Sequence, residues 1–185
     1  MTMELNPDQL KNPEELLNAW LEVRSKTLAV LESFADSQAP ERFLKKPEDG
    51  SWSAAEIAEH LYKTQLLFAT AIPLVLKGKL GENMSPPENP GYEEKKSAML
   101  GPGKYKNPEA VTPEGNWTFE QARKNLDRAM ERLRRNIKDR TLEELNGKGY
   151  EHPALGKVTL LEWIWALVLH EEMHGDILRT KKIES

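Results

Sequence analysis

The stretch Thr159-Leu160-Leu161-Glu162-Trp163-Ile164-Trp165-Ala166-Leu167-Val168-Leu169-His170-Glu171-Glu172-Met173-His174 decides the fold of this chain. Thr159 with Glu162 three residues on is a helix-capping box, in which hydroxyl and carboxylate each satisfy one of the helix's open backbone N–H groups. Leu160, Trp163, Leu167, His170, His174, Ile177 and Leu178 then recur at helical spacing, which predicts a helix to about Thr180 with these residues inward. Two of the chain's four histidines lie on that stripe, one turn apart. Residues four apart on a helix have Cβ atoms about 5–6 Å from each other, so both imidazoles can reach one metal ion.

Three more capped segments precede it. Asn12-Pro13-Glu14-Glu15 combines a cap, a proline in the first turn and early acids, and Leu17, Trp20, Leu21, Leu28, Leu31 and Phe34 carry a first helix to about residue 35. After a linker through Pro40, Pro47 and Gly50, Ser53 with Glu56 opens a second helix whose face runs Ile57, His60, Leu61, Thr64, Phe68, Ile72 and Val75, with Pro73 expected to kink its last turn. Thr118 with Gln121 opens a third, lined by Phe119, Ala122, Leu126, Ala129, Leu133 and Ile137; Arg132 to Arg140 reads as its solvated face. A one-turn helix is expected at Thr141 to Leu145 and a turn through Gly147 and Gly149. Between helices two and three, residues 77–117 are crowded with glycine and proline, which predicts a long crossover with at most a short helix from Glu93 to Leu100; Gly101-Pro102-Gly103-Lys104 lacks phosphate-loop spacing and reads as a turn. With no strand pattern competing, the fold class is all-α, a four-helix bundle formed by residues 1–185 as one domain.

Composition narrows the function. At 185 residues the chain suits a single core. Net charge −4 lacks the basic footprint that nucleic acid or an anionic membrane attracts, so neither is expected as a partner. The absence of cysteine leaves imidazole and carboxylate as the strong metal donors and, with an N-terminus that lacks the basic and apolar parts of a secretory signal, points to the cytoplasm. No apolar run is long enough to span a bilayer. The oligomeric state is open, a homodimer included.

Two histidines need a third ligand, and His60, inward on the second helix, is the candidate that completes a site across two helices. His170-Glu171-Glu172-Met173-His174 also matches the His-Glu-x-x-His helix of metallopeptidases, in which the glutamate serves as base. That reading needs a downstream ligand and a substrate-binding edge strand, and the sequence offers neither. Glu171 and Glu172 flank the ligands, and Glu171 is the candidate general base. His152, before a proline in a turn, is read as exposed or helix-capping, with contact to the mouth of the metal pocket as the alternative. Asp176 either orients a partner or faces solvent, and Trp163 and Trp165 belong to the core or line a pocket.

At Ser51-Trp52-Ser53, at His60-Leu61, at His152-Pro153-Ala154-Leu155-Gly156 and at the paired His170 and His174, the chain resembles the DinB/YfiT-like superfamily of bacterial metal-binding four-helix bundles over nearly its whole length. It departs from that pattern at Met173 and Ile177, where members often carry Arg and Gln. The resemblance implies an up-down-down-up helix order, with a divalent ion, zinc or nickel, held by His60, His170 and His174 and completed by water. It also implies a metal-dependent enzyme acting on a small molecule, either a hydrolase or an S-transferase that activates a low-molecular-weight thiol such as bacillithiol or mycothiol. The contrasting expectation is a non-catalytic metal-binding or stress-response bundle.

Overall fold

All four long helices start at their predicted caps. In the computed structural model, which describes residues 6–35, 41–85, 91–100, 108–152 and 155–184, a 3-10 turn at Pro7–Gln9 leads into α1 (Pro13–Glu32). There follow α2 (Glu41–Leu44), α3 (Ala54–Leu76), β1 (Glu82–Asn83), α4 (Tyr92–Leu100), a 3-10 turn at Glu109–Val111 and α5 (Phe119–Ile137). The chain closes with α6 (Leu142–Asn146), β2 (Lys148–His152), β3 (Gly156–Thr159) and α7 (Leu160–Glu184). The expected turn at Gly101-Pro102-Gly103-Lys104, Pro40, and the pair Pro153-Ala154 lie outside the described residues.

Asn12 Oδ1 accepts from Glu15 N at 3.2 Å, and the Ser53/Glu56, Thr118/Gln121 and Thr159/Glu162 boxes are each closed in both directions at 2.8–3.3 Å. Such a cap is worth about 1 kcal/mol, and it registers the start of a helix to a single residue. Pro73 does not end α3, which runs on to Leu76. A proline lacks the N–H that would bond the carbonyl four residues back, and Asn136 Nδ2 of α5 donates to that carbonyl, Ala69 O, at 2.7 Å. The orphan is satisfied by a neighbouring helix.

The apolar residues form two clusters. One joins Leu16, Leu17 and Trp20 of α1 to Phe68, Ile72 and Val75 of α3, Leu133 and Ile137 of α5, and Leu160 to Leu169 of α7. The other joins Leu31 of α1 to Ile57 and Leu61 of α3, Phe119, Ala122 and Leu126 of α5, and Leu178 of α7. The early halves of α1 and α7 thus share a cluster with the late halves of α3 and α5.

Between the clusters lies a charged hub that crosses all four long helices. The Glu171 carboxylate, fully buried on α7, accepts from Arg24 Nε and Nη2 of α1, from Trp20 Nε1 at 2.6 Å and from Gln65 Nε2 of α3 at 2.9 Å. Arg24 also donates from Nη1 to Leu126 O of α5 at 2.8 Å and from Nη2 to Gln65 Oε1 at 2.6 Å.

Two expectations are corrected. A three-stranded antiparallel sheet, in the order β1-β2-β3, stands where a turn through Gly147 and Gly149 was predicted. Its strands are short, and Gly149 is there for close packing rather than for a turn: a Cβ on it would lie 2.1 Å from Val158 O across the hairpin. Ile177, placed inward by periodicity, is 38% exposed, because the buried face of α7 has turned toward Leu178 at that level. Among the described residues, no helix is long and apolar enough to cross a membrane.

Removing one partner of a buried ion pair strands the other, at a cost of about 3–5 kcal/mol. Glu171→Leu should lower the unfolding free energy in urea by that order, and Arg24→Met combined with Glu171→Leu should recover a substantial part of the loss. Additive costs in the double variant would show that the pair does not act as a unit.

Candidate metal centre

The second turn of α3 and the middle of α7 bring three imidazoles together. His60 is 2% exposed, His174 is 7% exposed and His170 is half-buried. His170 Nε2 lies 3.2 Å from His60 Nε2 and 3.2 Å from His174 Nε2, and the three ligand atoms all fall within 4.8 Å of one another. His60 Nδ1 donates to Val111 O at 2.9 Å, since a carbonyl can only accept; the bond keeps the proton on Nδ1 and leaves a lone pair on Nε2. A proton on His170 Nε2 can serve only one of its two neighbours, so the converging nitrogens are short of donors. A cation supplies what is missing. Ligand nitrogens at about 2.0–2.1 Å from one tetrahedral or octahedral ion stand roughly 2.9–3.4 Å apart, and the two 3.2 Å spacings at His170 fit.

The site is covered and braced. The Trp52 ring lies over it, with centroids 4.8 Å from His60 and 6.3 Å from His174, the latter stacked. Val111 is held by the final stretch of the crossover, which two α3 residues anchor. Glu59 Oε2 accepts from Glu114 N at 2.9 Å and Gly115 N at 2.8 Å, while Lys63 donates to Thr112 O at 2.8 Å and pairs with Glu59 at 2.8 Å. Gly115 has φ +75°, and a Cβ there would lie 2.7 Å from Glu56 Cγ, so glycine lets this strap press against α3. The strap fixes the carbonyl that fixes the tautomer of His60.

Burial holds every histidine toward its neutral form. It depresses His60 and His152, with the Val111 bond partly opposing the effect at His60. It pushes His170 well below the ordinary range, helped by the charges that His174, His60 and His152 would carry. His174 falls to about 3, through burial first and the neighbouring His60 second. Neutral imidazole is the metal-binding form.

The other sequence candidates are placed elsewhere. Glu171, the expected base, has its carboxylate committed to the hub with four donors, so it is a structural anchor of the bundle. The His-Glu-x-x-His metallopeptidase reading fails with it, because that chemistry needs the glutamate free beside the metal. Glu172 is buried, and Asp176 is exposed and paired with Arg179. Trp165 packs in the core on Tyr92. His152 ends β2 opposite Gly156 rather than lying in a turn; its ring is 4.4 Å from Trp163, and its Nδ1 accepts from Leu155 N at 3.2 Å. Glu59 and Val111 escaped sequence reading because one looks like a helix-surface acid and the other acts through its backbone.

The DinB superfamily profile matches residues 19–178, a span that holds all three clustered histidines. The chain belongs to the DinB superfamily. Among solved structures it is similar to YfiT from Bacillus subtilis, described as a probable metal-dependent hydrolase with an unusual four-helix bundle topology. The likeness covers 98% of this chain and 92% of that one at 16% identity, with a TM-score of 0.52. No curated protein sequence matches this DinB-superfamily chain.

The depressed histidines set a pH dependence for the metal-free protein. Each binds its proton less readily folded than unfolded, so the unfolded chain holds more protons between the two pKa values and stability falls as pH drops. The loss begins near the ordinary value of 6.5 and, for His174, continues toward about 3. Each such group contributes a slope of about 1.4 kcal/mol per pH unit within its window. Denaturant titrations from pH 7.5 to 4.5 should show this decline, and His174→Gln should flatten it by about one proton's worth.

Proposed function

We propose that this protein is a metal-dependent enzyme that holds one divalent cation, zinc or nickel, on His60, His170 and His174 and acts on a small molecule, as a hydrolase or as a low-molecular-weight thiol S-transferase. The observation that carries the reading is the convergence of three covered imidazoles, with His170 Nε2 at 3.2 Å from the Nε2 atoms of both His60 and His174 and the three ligand atoms all within 4.8 Å of one another. A donor set of three neutral side chains leaves coordination positions for other molecules, the arrangement of catalytic rather than closed structural sites. When bound, the cation supplies the Lewis acidity that makes water or a thiol a nucleophile near neutral pH. The protein's own part is orientation and shielding: Val111 O and the Glu59–Lys63 strap aim His60, and Trp52 keeps solvent from two of the ligands. With Glu171 committed to Arg24, the reading assigns it no proton transfer. Kinship with a fold described for a probable metal-dependent hydrolase supports the same class.

Elemental analysis of purified protein should find one divalent ion per chain, and His60→Ala or His174→Ala should lose it. The loaded protein should turn over some member of a panel of esters, amides and thiol–electrophile pairs, and the chelated protein none. Identical behaviour of loaded and chelated protein across the panel would leave a non-catalytic metal-binding bundle.

Glu59→Gln isolates the strap. It keeps all three ligands but weakens the brace on Val111, so the metal dissociation constant from chelator competition should rise about tenfold with stoichiometry unchanged. An unaltered constant would show that the strap does not orient His60.

A further inference from the structure

Four buried side-chain nitrogen or oxygen atoms lack a hydrogen-bond partner among the described residues: His170 Nδ1, His174 Nδ1, Thr64 Oγ1 and Trp163 Nε1. All four belong to one seam. Thr64 is one turn beyond His60 on α3, and Trp163 is two turns before His170 on α7, on the same helix faces as those ligands. Phe68, one turn beyond Thr64, stacks on Trp163 at 5.3 Å and closes the seam between the two helices. Unsatisfied buried polar groups are uncommon in folded proteins, and their concentration beside a candidate metal centre calls for a ligand.

We propose that Thr64 and Trp163 form a substrate-recognition subsite that takes an uncharged hydrogen-bond acceptor, the carbonyl oxygen of an amide or ester, on the small molecule held at the histidine cluster. The proposal rests on the metal-enzyme reading above and adds the chemistry and reach of its substrate. An indole N–H can only donate, so its partner is an acceptor. The acceptor is uncharged because the cations held beside these residues are already engaged, Lys63 by Glu59 and Thr112 O, Lys95 by Glu162, and Arg24 by Glu171. An anion there would lose its hydration without a countercharge, whereas a carbonyl needs only neutral donors. Helical rise sets the distance: the acceptor lies one to two turns, roughly 5–11 Å, from the histidine tier.

The subsite is rigid. Trp163 is stacked with Tyr150 at 4.7 Å as well as with Phe68, and the His152 ring stands against it at 4.4 Å. Three rings therefore fix the indole before any ligand arrives. Thr64, Tyr150, His152, Trp163 and His170 are all half-buried, so the seam meets the surface along this line while its polar atoms stay shielded.

The test uses cobalt(II)-loaded full-length protein and two thiols of equal chain length, N-acetylcysteamine, which carries an amide carbonyl, and 1-pentanethiol, which does not. Both are titrated by thiolate-to-cobalt absorption. Thr64→Val and Trp163→Phe each remove one donor and keep the bulk of the side chain. The affinity ratio of amide thiol to alkyl thiol should fall about fivefold in each variant, the worth of one neutral hydrogen bond, with cobalt stoichiometry and 1-pentanethiol affinity unchanged. An unchanged ratio in both variants overturns the subsite. A second measurement needs no metal: the Thr64 hydroxyl is buried without a partner, so metal-free Thr64→Val should melt at or above the wild-type temperature. A drop of several degrees would mean the hydroxyl is structural and overturns the proposal. If the protein takes up no cobalt, or the cobalt no thiol, the metal-enzyme reading fails and the subsite with it, while the melting temperature of Thr64→Val still shows whether that hydroxyl is structural.

Discussion

The ion pair between Arg24 and Glu171 sets the terms for the rest of the bundle. It sits where the two apolar clusters meet, between Val23 and Leu31 on α1 and between Leu169 and Leu178 on α7. Apolar contacts alone tolerate helices that slide by a turn or rotate by a fraction of one, because leucine against leucine is much the same in several registers. A buried guanidinium and carboxylate do not. Their desolvation is offset only if every donor finds its acceptor, and here Trp20, Gln65 and the Leu126 carbonyl complete the set. Any other register would bury a charge without its partner.

That constraint reaches the histidines through the geometry of α7. Successive residues of a helix point about 100° apart. Once Glu171 is turned to the bundle centre, His170 just before it and His174 one turn later are turned toward α3, where His60 stands. The same locking explains how a His-Glu-x-x-His match arises without the chemistry of that motif, for the glutamate that would serve as base is the residue the bundle uses as its anchor.

The helices were legible because their signals are local. Asn12, Ser53, Thr118 and Thr159 each announce a helix within four residues, and the pairing of His170 with His174 needs only the pitch of one element. The hub was not legible, because Arg24, Gln65 and Glu171 are separated by up to 147 residues and each alone reads as an ordinary polar helix position. The hairpin hid for a different reason. Two strands of five and four residues carry too few alternations to stand out, and Gly149 reads as a turn until a neighbouring strand is seen pressing on it. His152 was misread along with them, since its position before a proline said turn while the partner strand made it the end of a sheet.

Among the described residues, no carboxylate joins the three histidines of the cluster. The nearest acid in sequence, Glu171, is neutralised by Arg24, and Glu59 by Lys63 and two backbone N–H groups. A divalent cation on three neutral imidazoles would therefore keep its full charge in a covered setting, where that charge is screened far less than in water. Such a site would draw electron density strongly from whatever filled its remaining positions and would favour an anionic occupant at the cation itself. The subsite one to two turns away has the opposite character, with neutral donors between aromatic rings. With the proposed metal and subsite in place, the seam would grade from charged to uncharged recognition along a single line, and a molecule that fitted it would carry its reacting group at one end and an uncharged polar group on a flat or apolar body at the other.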